Sequence, residues 1–189
     1  SMLNELKKYN FKNLVVWNRG VDTELFNPNK RDTNSKDTQL TYVGRVAIEK
    51  NIEEFLKLKG NYNKIVVGDG PELQKYINKY PDVNFVGVKT GEKLAKYYAN
   101  ADVFVFPSKT DTLGNVILEA LASGTPVAAY PVTGPIDVLT DEKINTLDND
   151  LLQSIKKALK VKRVDCRNFT LKLTWNKCVK EFLEYMVNV

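Results

Sequence analysis

A chain of 189 residues, 43% hydrophobic and 27% charged, is long enough to bury one full core. It has no histidine, which removes the usual general base, the Ser/His and Cys/His nucleophile pairs and most zinc sites. Its net charge of +5 admits an anionic ligand, and equally a solvating coat of lysines, while no arginine-rich patch or aromatic–basic interleaving points to nucleic acid.

Residues 1–13 read as a tag remnant followed by a polar linker. Leu14-Val-Val-Trp17 has the pattern of a short strand, Asn18-Arg-Gly-Val-Asp22 that of a turn, and 30–38 is a polar loop. Strands are expected at 40–43, 64–67, 83–86, 103–106 and 127–130, and a weak one at 144–147. Helices are expected between them: 50–58, a turn of helix from Pro71 (at an N1-like position) through Ile77, 92–100, 115–123, 136–139, 151–159 and a last one at 174–186. The apolar stripe of that last helix is Trp175, Cys178, Val179, Phe182 and Leu183. Strands alternating with helices at this spacing predict an α/β fold with a doubly wound parallel sheet, Rossmann-like, whose ligands sit at the carboxyl ends of its strands. No apolar run approaches the roughly 18–20 residues of a membrane span. The two cysteines, Cys166 and Cys178, read as reduced thiols, so the expected location is cytoplasmic.

Chemistry concentrates in Phe106-Pro-Ser-Lys-Thr-Asp-Thr-Leu-Gly-Asn115, which leaves a buried strand and enters a helix carrying Glu119. The loop offers Ser108, Thr110, Asp111 and Thr112. It then offers Gly114, where no side chain screens the backbone N–H groups at the positive end of a helix dipole. Asp111 and Thr112 also suit helix capping, a role compatible with ligand contact. Asn115, Glu119 and Ser123 share one helix face, and a lone carboxylate on so apolar a helix requires a partner. Gly44-Arg45, just past a strand end, and Lys50, at the start of the next helix, would put two cations into the same crevice. Together with the helix terminus they would form a diphosphate site without a metal. Gly68-Asp-Gly-Pro71 lacks the third glycine and the distal acid of a dinucleotide fingerprint and reads mainly as a tight turn. Asp148-Asn-Asp150 precedes a helix and reads as a cap rather than a metal motif. The lysine-rich segment Lys156, Lys157, Lys160, Lys162, Arg163 reads as a solvated face, with anionic lipid as the other reading.

Taken together, these motifs resemble the C-terminal, donor-binding half of the GT-B glycosyltransferases of the retaining group 1 family. The matching pieces, in order, are Asn18-Arg-Gly-Val-Asp22 with Phe26 and Pro28, Gly44-Arg45 with Lys50, Gly68-Asp-Gly-Pro71, Asn100 to Ser108, and Asp111 with Glu119 followed by Glu-Ala-Leu-Ala-Ser-Gly-Thr-Pro-Val127. Two departures stand out: Asp111 where glutamate is usual, and Arg19 where many members have Asn-Gly. The resemblance implies that Arg45 and Lys50 hold the donor diphosphate and that backbone N–H groups near Leu113 and Gly114 assist. It implies that Asp111 binds the transferred sugar and Glu119 the ribose hydroxyls, and that the loop at Val88 and Lys89 meets the base. Gly44, Gly68, Ser108, Thr112 and Asn115 complete the donor-binding set.

The implied substrate is a nucleoside-diphosphate sugar, UDP-sugar favoured and GDP-sugar the alternative, with no cofactor and no metal. The implied acceptor is a glycan or a lipid, which would bring the full-length protein to the inner face of a membrane. The implied organisation is a donor domain at 14–173 and a helix at 174–189 packing toward an N-terminal domain lying outside this chain, so that the fragment binds donor but transfers little. The competing readings are a sugar-nucleotide 2-epimerase, which would need histidine, a nicotinamide-dependent oxidoreductase, which the incomplete glycine fingerprint disfavours, and a non-catalytic nucleotide-sugar-binding module.

Overall fold

The apolar runs become strands because each is covered on both faces. In the computed structural model, which describes residues 2–12, 14, 15, 17, 19–32, 37–111 and 114–187, five strands lie side by side. They are β1 (Thr38–Val43), β2 (Tyr62–Val67), β3 (Asn84–Gly87), β4 (Val103–Phe106) and β5 (Val127–Ala129). All neighbours are parallel, in the order β3-β2-β1-β4-β5. The described helices are α1 (Met2–Lys8), α2 (Ile52–Leu56), α3 (Leu73–Lys79), α4 (Gly91–Asn100), α5 (Asn115–Ala122), α6 (Pro135–Val138), α7 (Leu151–Ala158), α8 (Arg163–Thr170) and α9 (Trp175–Val187). This is the doubly wound α/β arrangement that the alternating pattern predicts.

Side-chain alternation along β4 shows how the two layers are built. Phe104 and Phe106 pack with Tyr98 of α4, Ile117 and Leu121 of α5 and Cys166 of α8. Val103 and Val105 point the other way, into Ile52 and Phe55 of α2, Tyr76 of α3 and Ile155 of α7. Each such side chain is worth about 1.5–3 kcal/mol when fully buried.

The structure departs from the sequence expectations in several places. Of the expected strand at 14–17, residues 14, 15 and 17 are described and have no strand partner. Instead Trp17 leans on α9: its indole N–H donates to the Cys178 carbonyl at 2.9 Å, and its ring lies 4.9 Å from that of Phe182. The lead expected to be a linker contains α1. Residues 144–147 form no strand. They run along the edge of β5 and cover it through the Thr146 hydroxyl, which donates to the Val127 carbonyl, and the Asp148 N–H, which donates to the Ala129 carbonyl at 3.3 Å. Pro71 does not sit at N1 of α3, which starts two residues later. Asn18 of the opening turn and residues 33–36 of the polar loop lie outside the described residues.

α8 has no counterpart among the sequence expectations. Only Cys166 and Thr170 of this helix are buried, and it docks through arginines rather than an apolar stripe. Arg163 donates to the carbonyls of Ala99, Ala101 and Ser123 and to the Thr125 hydroxyl. Arg167 donates to those of Thr23, Phe26 and Ala122. Cations thereby meet the carboxyl ends of α4 and α5, where helix dipoles favour them. Arg163 is thus turned inward, while the four lysines grouped with it in sequence stay exposed. Along α9 only Cys178 of the expected stripe is buried. Trp175, Val179, Phe182 and Leu183 remain exposed.

Candidate active site

β1 and β4 are neighbours in space but feed helices on opposite faces, α2 and α5. The loops that follow them therefore diverge, and a crevice opens between their carboxyl ends, the usual ligand position of an open α/β sheet. The expected cationic loop after β1 and the expected hydroxyl-rich loop after β4 are its two walls.

The β1 loop is held firmly. The Gly44 N–H donates to the Val67 carbonyl at 3.0 Å, and the Val46 N–H to that of Asp69 at 2.8 Å. The buried Tyr42 hydroxyl donates to the Arg45 carbonyl at 2.7 Å. Burial, then the nearby charges of Asp111 and Glu49, push this phenol well above its ordinary value, so it stays a donor. Gly68 faces this loop at φ +146°, and a Cβ on it would fall 1.9 Å from the Gly44 oxygen. Its missing side chain is what lets the loops after β1 and β2 touch, in keeping with a tight-turn reading.

Past Arg45 the chain makes a 3-10 turn, Ile48–Lys50, and Asn51 takes a left-handed conformation at φ 52°. Three contacts then join the two walls. The Asn51 amide donates to the Pro107 carbonyl at 3.0 Å, the Thr110 hydroxyl to the Glu49 carbonyl at 3.4 Å, and Lys50 Nζ lies 2.5 Å from Asp111 Oδ1. The structure therefore brings Lys50 and Asp111 together. Asp111 pairs with Lys50, and the N-cap position of α5 belongs to Gly114. Arg45 stands exposed beside them and pairs with Glu49 at 3.2 Å.

At the mouth of α5, Gly114 occupies the N-cap position, no side chain among the described residues caps the helix, and its first turn holds no acidic residue. Uncapped N–H groups and the helix dipole together favour an anion. Asn115 opens the helix, and its side-chain oxygen accepts from Arg19 Nη1 at 3.2 Å. Thr112 and Leu113 lie outside the described residues. Ser108 is buried at the base of the loop, where its hydroxyl accepts from the Thr110 N–H at 3.5 Å.

One turn further along, Glu119 finds its partner inside the protein. The Tyr98 hydroxyl of α4 donates to Glu119 Oε2 at 2.9 Å. Burial raises the Glu119 carboxyl above its ordinary range, and the Tyr98 hydrogen bond pulls partly the other way. Burial and the Glu119 charge together push the Tyr98 phenol well up. Ser123, expected on the same face, is fully buried at the far end of the helix and has no hydrogen-bond partner for its hydroxyl among the described residues. In the loop after β3, Val88 is 63% exposed, and Lys89 folds back so that its ammonium donates to the Val86 carbonyl at 2.5 Å. Lys89 therefore meets its own strand end rather than the Lys50–Asp111 pair.

Three features had no sequence signal: Tyr98 beneath Glu119, the Asn51 clamp, and the contact of Arg19 with Asn115. All three join segments far apart in the chain. Among the described residues, no three Asp, Glu or Cys side chains converge as a metal ion would require. A cavity of about 390 Å³ lies at the opposite end of the sheet, lined by Asp37, Thr38, Asp102 and Arg163 among others. It includes none of the crevice residues. The crevice itself combines anion-binding N–H groups, cations from two loops and two carboxylates. Such a set can bind a diphosphate and hold the hydroxyls of groups attached to either end.

Comparison with known proteins places the chain in a family. The family model described as "Glycosyl transferases group 1" matches residues 24–167. The chain is 36% identical over 160 residues to a GDP-mannose-dependent alpha-mannosyltransferase of Corynebacterium glutamicum, an alignment covering 79% of this chain and 38% of that protein. It is 37% identical over 148 residues to a sulfoquinovosyl transferase of Arabidopsis thaliana, covering 69% of this chain and 28% of that one. The sucrose-phosphate synthase structure from Thermosynechococcus elongatus superimposes with a TM-score of 0.80 at 24% identity, covering the whole of this chain and 56% of that one. The chain thus spans well under half the length of these curated relatives. Among the described residues, no helix is long and apolar enough to cross a membrane.

Proposed function

The chain belongs to the group 1 glycosyl transferases, and on that footing we propose that it is the donor-binding part of a retaining glycosyltransferase that uses a nucleoside-diphosphate sugar without a metal. One observation carries this reading. At the switch point of the sheet, the Arg45–Lys50 loop and the uncapped N-terminus of α5 face one crevice, with Lys50 bridged to Asp111.

In this reading the diphosphate lies against the first turn of α5 between Arg45 and Lys50. As the glycosidic bond breaks, negative charge grows on the leaving diphosphate, and the two cations and the helix N–H groups offset it, the task a divalent metal performs elsewhere. Asp111 is placed to accept hydrogen bonds from hydroxyls of the transferred sugar. Glu119, whose raised carboxyl has Tyr98 as its donor among the described residues, accepts from the ribose hydroxyls, which would draw it back toward the ionised form. The backbone beside Val88 and Lys89 meets the base. The acceptor, a glycan or a lipid, and the rest of the catalytic groups come from a second domain, against which α9 would lay its exposed apolar residues.

The direct test is calorimetric titration of the chain with UDP, GDP, ADP and NAD, first without metal and then with magnesium. Metal-independent binding of one nucleoside diphosphate, lost in Arg45→Ala, supports the reading. GDP takes priority, because the Corynebacterium relative is named as GDP-mannose-dependent. Preferential binding of NAD would overturn it. In the full-length protein, NMR of the product's anomeric configuration tests retention.

A further inference from the structure

We propose that Arg19 is a donor-binding residue, its guanidinium engaging the diphosphate at the N-terminus of α5. The proposal rests on the donor-site reading above.

The chain has five arginines, and four of them have charged or multiple partners inside the fold. Arg31 donates to the carbonyls of Ala99, Asn100 and Ala101 and pairs with Asp102. Arg163 and Arg167 are spread over helix-end carbonyls, and Arg45 pairs with Glu49. Arg19 differs. Its hydrogen bond goes to a neutral acceptor, Asn115 Oδ1, and it makes no ion pair among the described residues.

Its position makes that unpaired charge informative. A cation at the N-terminus of a helix faces the positive end of the dipole, so nothing in helix stability accounts for an arginine there. Of the other cations at the crevice, Lys50 is already paired with Asp111 and Arg45 with Glu49. A guanidinium beside a helix N-terminus favours an anion that both can share, and a guanidinium fork suits the paired oxygens of a phosphate.

Arg19 is exposed, and the backbone that follows it is held in place. A Cβ on Gly20 would lie 2.5 Å from the Trp175 nitrogen, so the chain runs in direct contact with the start of α9. The Val21 N–H donates to the Leu173 carbonyl at 2.8 Å. The Asp22 carboxylate accepts from the N–H groups of Glu24 and Leu25. With the next three residues pinned in this way, the Arg19 backbone has a fixed place from which its side chain reaches Asn115 at the start of α5.

The test is titration of GDP, UDP and inorganic pyrophosphate into the wild type, Arg19→Ala, Arg19→Lys and Asn115→Ala, with melting temperatures measured alongside. Arg19→Ala should bind the preferred nucleoside diphosphate and pyrophosphate about 10-fold more weakly, with a shallower salt dependence and an unchanged or higher melting temperature. Arg19→Lys should fall between. If Arg19→Ala binds as the wild type does, the inference fails and the donor-site reading stands. If Arg19→Ala costs no pyrophosphate affinity once Asn115 is already alanine, or if Arg19→Ala melts several degrees lower, Arg19 acts only through Asn115 or the fold and the inference again fails. Absence of any nucleoside diphosphate binding by the wild type overturns both.

Discussion

Lys50 and Asp111 stand 61 positions apart in the chain, yet their charged atoms lie 2.5 Å from each other across the crevice. The pair ties the loop after β1 to the loop after β4, and it also means that an incoming diphosphate must share Lys50 with a carboxylate. Removing each partner should therefore act in opposite directions on a nucleoside diphosphate that carries no sugar. Lys50→Ala removes a charge-assisted hydrogen bond worth about 1.5–3 kcal/mol, or about 10- to 100-fold in affinity. Asp111→Asn frees Lys50 and should tighten binding several-fold, while turnover of the intact nucleotide sugar by the full-length enzyme falls. Calorimetry on the two variants checks the first half. Weaker binding in Asp111→Asn would mean that the carboxylate orients Lys50 rather than competing for it.

Glu119 predicts two pH dependences of opposite sign. Burial raises its carboxyl above the ordinary value of 4.5, so between those two values the folded chain holds a proton that the unfolded chain has released. Its contribution to stability is fully present below the unfolded value and is lost as pH rises through the folded one. Glu119→Gln keeps an acceptor for Tyr98 but does not titrate. Urea unfolding should show the wild type losing stability relative to this variant as pH climbs above 4.5. Binding runs the other way: ribose hydroxyls favour the ionised form, so nucleotide affinity should weaken as pH falls through the raised value. A wild-type affinity that stays flat across that range would remove Glu119 from the ribose site.

What the sequence revealed and what it hid divide along physical lines. β4 was legible as an unbroken apolar run, and β1 and β2 from their mainly apolar second halves despite the buried Thr41 and Lys64, and the crevice followed from where those runs end. The residues 14–17 have the same local pattern, yet Trp17 spends its apolar surface and its indole N–H on α9. No local signal distinguishes the two outcomes. α8 stayed hidden for the converse reason: its docking groups are Arg163 and Arg167, which read as solvent-facing until their carbonyl acceptors are known. Glu119 announced that it needed a partner, but Tyr98 lies 21 positions earlier on another helix.

Gly68 offers a test of the scaffold behind the site. Its amide sits at the end of β2, and a methyl there would overlap the Gly44 oxygen. The clash is with backbone, so the loop carrying Arg45 has to move. Gly68→Ala should destabilise the fold by about 1–3 kcal/mol, the range for overpacking a closed site. It should also weaken diphosphate binding, although Gly68 lies on neither of the loops joined by the Lys50–Asp111 pair. Thermal unfolding and titration of this variant together check the claim. Stability lost with affinity intact would show that the Gly44–Arg45 loop adjusts without carrying its cation away.

Arg163 separates fold from site most cleanly. Burial, followed by the charge of Arg31, lowers it to about 10, so it remains charged at neutral pH and keeps its planar set of donors. Those donors reach Ala101 at 2.8 Å, Ala99 at 2.7 Å and Ser123 at 3.1 Å, all carbonyls at the carboxyl ends of α4 and α5. Arg163→Ala takes the side-chain donor from the Ser123 carbonyl and leaves Ala99 and Ala101 with Arg31 alone, and each unsatisfied group in a part-buried position costs about 1–3 kcal/mol, less where water can enter the space vacated. A loss of about 2–4 kcal/mol is expected, read as a lower urea midpoint with an unchanged slope. Arg163→Lys should recover little, because an ammonium cannot span the same carbonyls as a planar fork. Nucleotide affinity, measured well below the unfolding transition, should be unchanged in both variants, since these carbonyls lie at the opposite end of α5 from Gly114 and Asn115. A parallel loss of affinity would mean instead that α8 sets the position of α5, and with it the anion-binding first turn.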